Sequence, residues 1–147
     1  MLLQLAVASI VSLANIAVQS IAMAFVIRVI RRREAVKDSL HFRVHLPILM
    51  MAVVVVLGLA HMVEVAIWTL AYLALGVAPP EASSLYCALV NFTTLGYGDV
   101  VPVERWKLLG PLTAMNGALL LGWSTAVIFA VLMSQDLMNS VGRQKRP

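Results

Sequence analysis

The sequence predicts an all-α membrane protein, with three transmembrane helices and a short re-entrant helix and irregular loop between the second and third. Composition is the first observation. Hydrophobic residues make up 61 % of the 147 residues and charged residues only 12 %, whereas a soluble domain carries roughly a quarter charged residues. Charge spacing is the second. Residues 1–27 hold no charge, residues 47–80 hold only Glu64, and residues 108–135 hold none. A bilayer core takes ~20 apolar residues as helix, and each gap is longer. The third is the mixed stretch 76–107, which is too polar in part to be a fourth span. This composition excludes an ordinary soluble enzyme or a nucleic-acid-binding domain. The net charge of +4 reads as basic cytoplasmic loops rather than an anionic partner. A single cysteine, Cys87, excludes an intrachain disulfide and a multi-cysteine zinc site.

The first segment, 1–27, reads as a retained helix. A cleaved signal peptide has a positive start and a short apolar centre; here nothing positive precedes the run and arginines follow it. Gln4, Ser12, Asn15 and Gln19 recur at helical spacing, with Ala8 on the same line. Lipid does not welcome that stripe, so it packs on protein. An ion pathway along it is the sharper alternative, disfavoured because no charge lines it.

The linker 28–46 carries Arg28, Arg31, Arg32, Arg33, Lys37 and Arg43 against Glu34 and Asp38. Its apolar residues suit a short amphipathic helix on the inner membrane surface. His41 and His45, four apart, share a face there. They are candidate cytoplasmic proton sensors, with a solvated interfacial face as the plainer reading. The tail 134–147 is also basic, with Arg143, Lys145 and Arg146 against Asp136. Basic loops stay in the cytoplasm. The N-terminus is therefore expected outside, the linker inside, residues 76–107 outside and the C-terminus inside, in a cell membrane of bacterial inner-membrane type.

The second span, 47–75, opens on Pro47, a residue tolerated at a helix start. His61 and Glu64 are three apart near its middle and share a face. Ionisable groups at that depth are expensive. Asn15 and Gln19 are candidate partners. A buried polar clamp between the first helix and the rest is the favoured reading; proton-dependent gating is the alternative.

After this span, Pro79, Pro80 and Glu81 suit a helix start. A short helix over 81–93 is expected, too short to cross the membrane. Irregular backbone follows at 94–98, tolerated at membrane depth only when buried in protein or lining a watery path.

The run Thr94-Leu95-Gly96-Tyr97-Gly98-Asp99 closely resembles the selectivity filter of potassium channels, with leucine where valine is common. Its setting resembles the two-helix pore module of bacterial ion-channel-domain proteins: a span, a re-entrant helix, the filter, a second span. The resemblance covers residues 47–133, with the first helix outside it. It implies a potassium-selective channel whose carbonyls at Thr94, Leu95, Gly96, Tyr97 and Gly98, with the Thr94 hydroxyl, replace the hydration shell of K+. Potassium is then the transported ion, and no organic cofactor or small-molecule substrate is called for. Carbonyls pointing one way at successive residues need glycine dihedrals at Gly96 and Gly98. Leu95 and Tyr97 are expected to point away and brace on the short helix. One filter cannot enclose an ion, so the resemblance implies a homotetramer. Asp99 is expected behind the filter or at its outer mouth. In some relatives an acidic residue four positions before the filter threonine holds it. That position is Val90 here, leaving Tyr86 or Trp106 as candidate partners.

The third span, 108–133, is then the inner, pore-lining helix. Gly117 and Gly122 are read equally as a hinge or as close helix packing. Ala118, Leu121, Thr125 and Phe129 are assigned to the cavity face, and Phe129 or Met133 to a hydrophobic gate. Cys87 is read as a packed thiol. Alternative functions are a weakly selective cation channel, an accessory or assembly subunit with a structural filter, or an intramembrane enzyme built on His61 and Glu64. No paired-carboxylate, metal-ligand or nucleophile constellation supports the last.

Overall fold

The computed structural model describes the backbone of residues 1–34 and 42–144, and the side chains of residues 1–30 and 47–133. The chain folds into α1 (Leu2–Glu34), α2 (Phe42–Leu75), α3 (Ser84–Phe92) and α4 (Leu109–Gln144), with a 3-10 turn at Glu104–Trp106. No strand occurs among the described residues. Leu2–Ile30, Pro47–Leu75 and Leu109–Met133 are each long and apolar enough to cross a membrane. The nine residues of α3 rise only about 14 Å, less than half of a ~30 Å hydrocarbon core.

Several helix ends differ from the expected ones. α1 continues to Glu34 and α2 already begins at Phe42. Both flanks of the 28–46 linker are thus extensions of the long helices rather than a separate surface helix. The arginine-rich sequence after Ile27 contains no breaker, and arginine and glutamate are good helix formers. His41 lies outside the described residues, as does the side chain of His45. Pro47 consequently sits inside α2, not at its first turn. α4 runs through the predicted tail as far as Gln144, because no proline interrupts it before Pro147.

α2 stops at a defined motif. Gly76 adopts φ 62°, a left-handed conformation that glycine takes without penalty. The Gly76 N–H donates to the Leu73 carbonyl at 3.4 Å and the Val77 N–H to the Tyr72 carbonyl at 3.0 Å. These two bonds satisfy carbonyls that the last turn otherwise leaves open.

α3 packs against α2 and α4, and α1 packs on the other side of the same two helices. One core lies beneath α3, built on Trp68, Tyr72, Phe92, Trp106, Leu109 and Leu120. Trp68 and Tyr72 meet edge to face, with centroids 6.1 Å apart. A second core, with Val26, Val53, Leu57 and Val127, joins α1, α2 and α4 toward their far ends. Large apolar residues such as Ile10, Leu13, Leu59, Met62 and Leu70 stay exposed, a surface suited to lipid.

Candidate functional site

The 94–98 run hangs from the end of α3. Ser83 caps that helix, accepting from the Tyr86 N–H, a standard way to satisfy a first-turn donor. The helix therefore starts at Ser84, after the prolines and Glu81 that were expected to open it. At its other end the Thr94 N–H donates to the Asn91 carbonyl at 3.0 Å, and the Leu95 N–H to the Val90 carbonyl at 3.0 Å. Val90 thus holds the start of the run by its backbone, while its side chain is buried.

Backbone angles then alternate. Thr94, Gly96 and Gly98 have φ values of 58°, 61° and 81°. Leu95 and Tyr97 are not among the positive-φ residues. An ordinary strand sends successive groups to opposite sides; reversing every second residue brings successive carbonyls to one side. A Cβ on Gly96 meets only the Thr94 carbonyl oxygen, at 3.9 Å, and one on Gly98 meets nothing within 4 Å. Glycine is required here by conformation, not by space. Thr94 takes the same conformation with a β-branched side chain, an uncommon arrangement that marks functional loops.

Leu95 and Tyr97, expected to brace on the short helix, are 51 % and 71 % exposed. Their own chain does not cover them. An open groove of about 510 Å³ lies beside the run, lined by residues including Thr94, Gly96, Val101, Pro102 and Pro111. Asp99 is held by Tyr86, whose phenol donates to Oδ2 at 2.6 Å. That hydrogen bond to the carboxylate keeps the Tyr86 phenol above its ordinary pKa. Trp106 has no part in it: its indole is buried and its Nε1 has no partner.

Behind α3 lies a polar contact that the sequence reading missed. Asn91 Nδ2 donates to the Tyr72 hydroxyl at 3.2 Å, which is 2.9 Å from Thr113 Oγ1. One residue each from α3, α2 and α4 thereby fixes the short helix. The available signal was a polar atom inside each apolar run.

α4 presents two faces. Thr113, Asn116, Gly117, Leu120, Ser124 and Val127 are buried against the chain. Ala118, Leu121, Gly122, Thr125, Phe129 and Met133 are exposed, so the residues assigned to the cavity and gate share the uncovered face. Thr125 Oγ1 donates to its own helix, at the Leu121 carbonyl, 3.0 Å away. The two glycines separate sharply. A Cβ on Gly117 would lie 1.8 Å from the Phe92 carbonyl oxygen, whereas one on Gly122 meets nothing within 4 Å. Gly117 is a contact point between α4 and the end of α3. Gly122 makes no such contact.

A family model for ion channels matches residues 49–134, more than half of the chain. The chain belongs to the ion channel family. No curated protein and no solved structure matches it. The matched segment of this channel holds α2, α3, the 94–98 run and the apolar part of α4. α1 lies outside it.

The channel carries a second polar assembly, deep between α1, α2 and α4. His61 Nδ1 and Glu64 Oε2 are 2.7 Å apart, and His61 Nε2 is 2.9 Å from Ser124 Oγ. Gln19 Nε2 donates to Ser124 Oγ at 2.7 Å. Asn15 Nδ2 donates to the Glu64 backbone carbonyl at 3.3 Å and to Asn116 Oδ1 at 3.1 Å. Trp68 Nε1 donates to the same Asn116 oxygen at 3.0 Å. Asn15, Gln19 and Glu64 are fully buried. The polar stripe of α1 is thus spent on helix packing. At its N-terminal end Gln4 does the same, donating to the Arg105 carbonyl at 2.8 Å and accepting from the Leu108 N–H at 3.0 Å.

Proposed function

We propose that the protein is the subunit of a potassium-selective channel, and that four copies place their 94–98 runs around one axis for passive K+ transport. The observation that carries this reading is the alternating φ at Thr94, Gly96 and Gly98 within a run of filter sequence. It supports carbonyls from Thr94 to Gly98, with the Thr94 hydroxyl, as the oxygens that replace water around the ion. Further support comes from what a single chain leaves open. Leu95, Tyr97 and the cavity face of α4 are exposed, and neighbouring copies are what would cover the first two and enclose the third. Asp99, tied to Tyr86, belongs to the outer mouth. The same reading places the Leu2 end of α1 outside, because Gln4 sits at the outer loop, and places the arginines near residue 32 in the cytoplasm of a cell membrane.

The test is ion flux into vesicles reconstituted with this chain alone. Potassium uptake is expected to exceed sodium uptake by at least about a hundredfold. Gly96→Ala should abolish it, because an L side chain opposes φ 61°. Equal sodium and potassium uptake would make the protein a weakly selective cation channel. No uptake of either, from folded protein, would leave an accessory subunit whose filter is structural.

A further inference from the structure

The first turn of α4 lacks the residues that ordinarily close a helix start. α4 begins at Leu109, and the Leu112 N–H donates to the Leu108 carbonyl at 3.2 Å, so Leu108 stands at the capping position. A usual cap has Ser, Thr, Asp or Asn there, with a Glu or Gln three residues on that reaches back to the capping residue's own N–H. Here those places hold Leu108 and Pro111, and neither side chain can accept a hydrogen bond. The acceptor comes from another helix instead. Gln4 Oε1 accepts from the Leu108 N–H at 3.0 Å, and Gln4 Nε2 donates to the Arg105 carbonyl at 2.8 Å. One amide thus closes both ends of the junction between the 3-10 turn and α4. That junction adjoins the 94–98 run: Thr94, Gly96, Glu104, Lys107 and Gly110 line the same groove. Gly110, the second residue of α4, makes the tightest contact. A Cβ there would lie 3.2 Å from Pro102 Cγ and 3.5 Å from Asn91 Oδ1, and the Asn91 carbonyl accepts from the Thr94 N–H.

We propose that Gln4 is a positioning residue for conduction: from α1 it caps α4, and so holds the first turn of that helix, and the stretch leading to it, in register with the 94–98 run. The stretch has two other fixed points, Asp99 held by Tyr86 and the Val103 N–H donating to the Val77 carbonyl at 2.9 Å. Tyr86 and Val77 lie within the segment that matches the ion channel family, residues 49–134, and Gln4 lies outside it. α1 therefore supplies a support for the run that the matched segment does not contain. Asn15 and Gln19 seat α1 through their own bonds to α2 and α4, so the loss of Gln4 alone leaves the helix in place. The proposal rests on the reading of the run as a filter, but not on which cation the filter selects.

Backbone amide exchange of the full chain in detergent, resolved residue by residue, tests the role of Gln4. Gln4→Met keeps the length of the side chain and loses both hydrogen bonds. The Leu108 amide should then exchange about fivefold faster, the loss expected of an ordinary cap. The amides of Thr94 and Leu95 should follow, while those around Asn15 and Gln19 stay as they were. Gln4→Glu keeps an acceptor for the Leu108 N–H and adds a charge favourable at a helix start, so it should restore the protection. Potassium flux into vesicles, per folded protein, should fall in Gln4→Met and recover in Gln4→Glu. Unchanged Leu108 exchange in Gln4→Met, or faster exchange there that leaves Thr94 and Leu95 untouched, would overturn the proposal. So would equal flux in the wild type and Gln4→Met, or a Leu108 amide without protection in the wild type, which needs no variant to fold. A wild type that conducts no ion counts against the filter reading instead, and exchange at Leu108, Thr94 and Leu95 still decides what Gln4 does.

Discussion

A side chain at position 117 has nowhere to go. Its Cβ would fall 1.8 Å from the Phe92 carbonyl oxygen, and both groups are backbone or attached directly to it. Gly117→Ala must push α4 away from the end of α3. Forced overpacking of this kind costs about 3 kcal/mol. A drop of several degrees in the unfolding midpoint is expected, together with altered conduction, because the displaced carbonyl lies two residues before Thr94. Gly122→Ala faces open space and should leave stability within about 1 kcal/mol or raise it. Equal effects at the two positions would mean that the α3–α4 contact is not tight. Two glycines on one helix look the same in sequence. Only the approach of Phe92 tells the packing glycine from the free one. The glycines at 96 and 98 are the opposite case. A motif can announce them, because the requirement for positive φ is local.

At the level of elements, α1 is bound to the pore module by amides. Asn15 makes two cross-helix bonds, to α2 and α4, and Gln19 and Gln4 make others. Hydrogen bonds between membrane helices average about 0.6 kcal/mol and reach about 1.7 kcal/mol. Asn15→Leu removes two bonds, which also leaves Asn116 with one donor fewer. A loss of about 1–2 kcal/mol is expected in denaturant or detergent titration of the intact protein. A change below about 0.3 kcal/mol would mean that apolar packing alone seats α1. The stripe itself was legible from residue spacing, as was its need for a protein partner. Its approach to His61 and Glu64 was expected as well, but its partners on α4, Asn116 and Ser124, were not. Asn15 meets Asn116 across 101 residues of chain, and no local pattern encodes such a meeting.

For the whole molecule, the packing groups the ends of the helices. The Leu2 end of α1 meets the stretch before α4 through Gln4, while the arginine-rich end of α1 lies a helix length away; the basic excess of the linker assigns that end to the cytoplasm as an expectation. Single cysteines introduced into a Cys87-free protein, labelled with an impermeant thiol reagent in intact cells, check it. A cysteine at position 2 should react from outside, and one at position 32 only after the membrane is opened. The reverse pattern would invert the topology and place the 94–98 run on the cytoplasmic side.

Three spans, a helix too short to cross and an irregular loop with reversed backbone at Gly96 and Gly98 follow from the sequence, because each rests on composition or on a conformational demand local to a few residues. The charge gaps must exceed a bilayer's thickness, and the glycines must reverse the backbone. The family follows from the same residues. The tertiary structure decided the rest. It chose Tyr86 over Trp106 as the partner of Asp99, and it ran α1 and α2 into the linker. It left Leu95 and Tyr97 uncovered by their own chain, and it joined His61 and Glu64 to Gln19 through Ser124. Such outcomes depend on which helix faces lie opposite each other. That is set by the summed packing of four helices, to which any single hydrogen bond contributes about 1 kcal/mol.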